Sequence, residues 1–122
     1  MSQLRSDLWC AVFVRRHNDL GEAAVIVRRG DPVAGQIWIE IDHLDGTVTL
    51  LAPAPAPYYE REAADRLFEV RLARVPAADA RERIEREGRF DSDFWLIGLE
   101  TRAKAYGVDI VSDKKNDKDP FR

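Results

Sequence analysis

The chain has 122 residues, 45% hydrophobic and 34% charged, with a net charge of −3 and a single cysteine, Cys10. One domain is expected, long enough to bury a core without staples. The acidic balance argues against nucleic acid or an anionic membrane as partner of the whole molecule, and one cysteine excludes an internal disulfide or a multi-cysteine metal site.

Ser6 reads as the N-cap of a first helix over about residues 6–19. Asp7 falls in its first turn, Leu8, Trp9, Val12 and Phe13 form an apolar stripe, and Gly21 stops it. AAVIVRR at 23–29 reads as a short β-branched strand broken by Gly30-Asp31-Pro32. From Gln36 a second strand alternates, with Ile37, Ile39 and Ile41 on one face and Trp38, Glu40 and Asp42 on the other. Asp45-Gly46 predicts a two-residue hairpin turn returning through TVTLL. That register sets Ile41 opposite Leu50 and puts His43, Val48 and Leu50 on the isoleucine face, the expected core face.

The alternating prolines of APAPAPYY at 52–59 predict a covering loop unable to join a central strand. Their spacing of two does not suit a P-x-x-P reader. RLFEVRLARV at 66–75 predicts a strand with Phe68, Val70 and Leu72 inward. After Pro76 comes a charged surface helix with the acid-first pairs Asp79/Arg83, Glu82/Arg86 and Glu85/Arg89, and a thin apolar face of Ala77, Ala80 and Ile84. FWLIGLE at 94–100 is apolar on both faces, as an interior strand would be. VDIV at 108–111 could add an edge strand, and SDKKNDKDPFR reads as a charged tail. The expected architecture is α+β: a mostly antiparallel mixed sheet of about five strands, an N-terminal helix, and a second helix before the last main strand. The domain is expected to span 1–103, with 104–122 as tail.

No apolar run approaches the roughly 18 residues of a membrane span. MSQLRSD lacks a signal peptide's apolar segment, so a cytoplasmic setting is expected. Phosphate-binding glycine loops, H-E-x-x-H, G-x-S-x-G and zinc-ligand spacings are all absent from the sequence. No cofactor and no metal ligand set is therefore implied.

Three groups of residues could carry chemistry. Arg28, Arg29 and Asp31 leave a strand end at a flexible glycine, a place for an anion or an acidic partner, unless nearby acids neutralise them. Trp38 marks a sheet face that could be a contact surface or be covered by a helix. Glu40/Asp42 and Asp91/Asp93 are carboxylate pairs at i, i+2 that could serve acid–base work or hold a divalent cation. A solvated sheet face and ordinary turn chemistry explain the two pairs equally well. Cys10 is expected to be buried and inert, and His43 to sit satisfied on the core face.

The runs RRGD-x-x-AG at 28–35 and FD-x-D-x-W at 90–95, with SDLWCAVFVRR, carry a resemblance. Over residues 4–101 the chain resembles a family of small alphaproteobacterial proteins known only as a domain of unknown function, number 1491. The resemblance implies a compact helix–sheet domain in a cytoplasmic setting and carries no catalytic residue with it. The expected role is a non-enzymatic binding module for a protein partner or small anionic ligand. The alternative is a small enzyme using a carboxylate pair, with or without a divalent metal.

Overall fold

The structure, a computed structural model, describes residues 4–55 and 66–111. The elements run α1 (Ser6–Asp19), β1 (Ala23–Arg28), β2 (Gln36–Asp42), β3 (Thr47–Pro53), β4 (Leu67–Pro76), α2 (Ala77–Phe90), β5 (Phe94–Glu100) and β6 (Asp109–Ile110). The six strands form one mixed sheet in the order β1-β5-β2-β3-β4-β6. FWLIGLE is interior, as its two apolar faces predict: it runs antiparallel to β1 and parallel to β2. The short β6 lies within 108–111 and pairs parallel with β4. Residues 56–59 of the proline-rich run and the tail from 112 lie outside the described residues.

Both faces of the sheet are cores. On the first, α1 packs Cys10 and Phe13 against Ile37, Ile39, Ile41, Leu51, Trp95, Ile97 and Leu99. On the second, Trp38, Leu50, Ala52, Phe94 and Leu96 are covered by Ile84 of α2 and Leu72 of β4. Trp38 is thus 4% exposed, and the isoleucine face is only one of two core faces.

The hairpin register corrects the sequence reading by one residue. The loop has three residues, not two: the His43 N–H donates to the Thr47 carbonyl, and Leu44 (φ 63°) and Gly46 (φ 92°) adopt left-handed conformations. Asp42 Oδ1 accepts the Leu44 N–H, and Asp45 Oδ1 accepts both the N–H and the hydroxyl of Thr47. Ile41 therefore faces Thr49 and Glu40 faces Leu50. Because side chains alternate with period two, this slip moves Val48 and Leu50 to the Trp38 face. His43 stays on the isoleucine face and bonds Thr49 Oγ1 at 2.7 Å.

Ser6 is not the cap of α1. Arg5 occupies that position, while the buried Ser6 hydroxyl donates to the Gly35 carbonyl at 2.6 Å. Strand β4 carries irregularities opposite Val48–Leu51, so Phe68 joins the α1 core, Leu72 the α2 core, and Val70 is exposed. On α2 the ion pair within the helix is Arg83–Glu87, in base-first order.

Ala52 and Pro53, expected in a covering loop, instead belong to the interior strand β3, with Pro53 as its last residue opposite Phe68 of β4; the missing N–H acts on its other side. Hydrogen-bonded positions alternate along an antiparallel pair, so the sequence His43/Thr47, Ile41/Thr49, Ile39/Leu51 would continue to Ile37/Pro53. Proline has no hydrogen to give there. The pairing stops at Ile39–Leu51, and β2 and β3 part beyond it.

Candidate functional site

Arg28, Asp31, Asp91 and Asp93 do converge, at the end of the sheet where β1 ends and β5 begins. Asp93 Oδ1 accepts the Asp31 N–H at 2.7 Å, and the Trp95 indole N–H donates to the Asp31 carbonyl at 2.9 Å. Asp31 Oδ2 accepts the N–H groups of Val33 and Ala34, and Asp91 Oδ1 accepts the Asp93 N–H. The carbonyls of Pro32 and Val33 then accept the first free N–H groups of α1, from Asp7 and Ser6. Gly30 and Gly35 are required by close approach. A Cβ on Gly30 would sit 2.9 Å from the Phe94 carbonyl carbon, and one on Gly35 2.8 Å from the Asp31 nitrogen.

The arginines of this corner are also engaged. Arg28 donates to the Ser92 carbonyl at 2.6 Å and lies over the Phe94 ring, whereas Arg29 lies 5.7 Å over Trp95. The two conspicuous motifs, RRGD-x-x-AG and FD-x-D-x-W, are thus two halves of one backbone clasp that fastens α1 to β1 and β5. Only Phe90 of the second motif has no part in it; it is 85% exposed.

Glu40 and Asp42 lie at the opposite end. In the parallel register Gln36 pairs with Phe94 and Asp42 with Glu100, six residues apart, or about 20 Å at ~3.3 Å per residue. The two carboxylate pairs cannot act together. Among the described residues no group of three or more His, Cys, Asp or Glu side chains is placed to hold a metal ion.

Trp38 fronts a cavity of about 450 Å³ where β2 and β3 part. Its walls include Ile37, Pro53, Ala54, Leu67 and Phe68, with Arg66, Arg71, Gln36 and Glu87 as polar groups. Arg71 lies 5.0 Å over the Trp38 ring and bonds Glu69 at 2.8 Å; the indole N–H donates to Gln36 Oε1. Arg66 donates to the Leu4 carbonyl and the Ser6 hydroxyl. The sequence reading missed Arg71 because simple alternation points it to the same side as Glu69 but says nothing of the break that seats it over Trp38. Pro53 was the usable signal, as a residue unable to continue the pairing.

His17 and Cys10, both on α1, are closed off. His17 Nδ1 bonds Glu22 at 2.6 Å, and Glu22 also accepts the Thr101 hydroxyl; these bonds hold the Glu22 carboxyl below its ordinary value. Burial pushes the Cys10 thiol up to about 12, so it remains protonated.

The sequence profile of a protein family of unknown function, DUF1491, matches residues 4–109, nearly all of the described domain. The chain belongs to this family. The family fold recurs in a solution structure of protein Atu0922 from A. tumefaciens, 33% identical, with a TM-score of 0.78 over 90% of this chain and 96% of that one. A DUF1491 protein from Caulobacter crescentus CB15, 26% identical in its crystal structure, superposes with a TM-score of 0.72 over 89% of this chain and 98% of that one. Both neighbours come from alphaproteobacteria, as the sequence resemblance implied. No curated protein matches the chain. Among the described residues no helix is long and apolar enough to cross a membrane.

Proposed function

We propose that this DUF1491 protein is a non-enzymatic, cytoplasmic binding module for a small organic anion, held in the cavity between the parted ends of β2 and β3. The observation that carries the reading is the composition of that cavity. It sets two arginines, Arg66 and Arg71, the latter paired with Glu69 and 3.8 Å from Glu87, beside a wall that includes the edges of Trp38, Ile37 and Phe68. Its volume, about 450 Å³, lies within the roughly 300–1,000 Å³ usual for ligand pockets. The other sequence candidate for an anion, the Arg28–Asp31 corner, spends its polar groups on the clasp.

A flat ring with a carboxylate suits this lining, the ring on the apolar wall and the acid toward the arginines. A thermal-shift screen of aromatic and aliphatic carboxylates against the matching alcohols tests it. At 100 times its dissociation constant a ligand adds about 2.7 kcal/mol to native stability, a shift of several degrees. The shift should fall in Arg71→Gln and Trp38→Phe and persist in Arg29→Gln. Equal shifts in wild type and Arg71→Gln would refute the site, and no shift with any carboxylate would redirect the search to a protein partner.

A further inference from the structure

The second core face is incompletely covered. Helix α2 packs over β3 and β4 through Ala80 and Ile84, leaving the first residues of β1 and the last of β5 and β2 on that face without a helix above them. The gap is deepest at Gly98. This residue sits mid-strand with paired neighbours on both sides, Val25 on β1 and Glu40 on β2, yet it is partly exposed. An interior strand position without a side chain leaves a hollow.

The hollow is a groove of about 350 Å³. One wall is Val25 and Val27, which are 58% and 56% exposed and lean over Gly98; the other is Val48, with Ala77 and Arg81 from α2. The Glu40 side chain stands beside Gly98 at the floor. It is half-buried, and among the described residues nothing hydrogen-bonds to its carboxylate. Burial raises its pKa, an effect that Arg81 opposes and Asp42 reinforces. A carboxylate sunk in an apolar trough without a partner is costly, and a bound cation removes that cost.

The charges facing Glu40 come from three elements: Asp42 on β2, Glu100 on β5 and Arg81 on α2. Three carboxylates against one guanidinium leave the groove acidic. Asn18 of α1 closes the groove by the β1 edge, but its amide is already committed to the backbone of Ala24.

We propose that this groove is a second binding site, for a small alkylamine whose aliphatic stem lies along Val25, Val27 and Gly98 and whose ammonium meets Glu40. The apolar walls select the stem and the unpaired carboxylate selects the head. A simple alcohol lacks the charge, and a carboxylate is repelled.

The test is titration of the isotope-labelled protein with n-butylamine, with n-butanol and n-butyrate as controls, followed by NMR. Butylamine should shift the Gly98 amide and the Val25 and Val27 methyl resonances, and the controls should not. Glu40→Gln keeps the side-chain shape and should weaken binding at least tenfold while the remaining spectrum stays wild-type. In a second variant, Gly98→Ala, the added methyl fills the floor, 3.3 Å from Val27 Cγ2, and should also weaken binding. Three outcomes overturn the proposal: no shift at Gly98, equal shifts with n-butanol, or undiminished affinity in Glu40→Gln. The Trp38 indole resonance reports the other cavity, so failure here is separable from failure there.

Discussion

Asp31→Ala is the sharpest test of the clasp. Asp31 Oδ2 accepts two backbone N–H groups, from Val33 at 3.0 Å and Ala34 at 2.8 Å. Hydrogen bonds to a charged acceptor contribute about 1.5–3 kcal/mol each and ordinary ones about 1 kcal/mol; at an exposed site the lower figure applies, giving about 2 kcal/mol for the pair. The loss propagates, because the loop they fix presents the Pro32 and Val33 carbonyls to the start of α1. Asp31→Asn keeps an acceptor oxygen and should cost under about 1 kcal/mol. Urea unfolding followed by tryptophan fluorescence measures both. With a slope near 2 kcal/mol per molar, Asp31→Ala should lower the midpoint by about 1 M, with the slope unchanged. If its midpoint stays at the wild-type value, the carboxylate does not hold the loop, and its placement there needs another cause, such as a ligand.

Gly30→Ala forces a methyl to within 2.9 Å of the Phe94 backbone and should destabilise by about 1–3 kcal/mol on the same urea assay. Asn18→Ala removes two hydrogen bonds to Ala24, at 3.1 and 2.8 Å, and uncaps the edge of β1. Hydrogen exchange at the Ala24 amide should accelerate, and the protein should self-associate more readily, because an open strand edge is a pairing template. Glu40→Gln should be more stable than wild type at pH 7. Burial raises the Glu40 pKa above its ordinary 4.5, so its folded-state contribution is most favourable below that value and is lost as pH rises through the folded pKa. The advantage of the variant should therefore shrink as pH is lowered through the raised folded pKa toward 4.5 and level off below it, which thermal melts across that range would show.

Sequence periodicity was enough for the elements themselves. Each helix and main strand begins within a few residues of its predicted start, because stretches such as AAVIVRR, IWIEID and FWLIGLE have patterns that few other local structures satisfy. The placement of FWLIGLE inside the sheet was also legible, since an apolar residue on each face needs cover on each face. So were the two motifs, although as family markers and not as parts of a single object. Their roles in the site were illegible: Asp31 and Asp93 are 62 residues apart in sequence, and nothing local says that one accepts the backbone N–H of the other.

By itself, then, the sequence determined the α+β class, the element boundaries and the chemical neutrality of Cys10, all consequences of local pattern and composition. Only the tertiary structure decided the rest. A left-handed Leu44 lengthened the hairpin loop by one residue and so moved Val48 and Leu50 to the other face. Pro53 became the point where two strands part only because the β2–β3 register would bring it to Ile37 as a hydrogen-bonded pair, and Gly98 became a hollow only because α2 packs elsewhere. Each depends on which segment lies beside which, a matter of long-range register that no short window of residues contains.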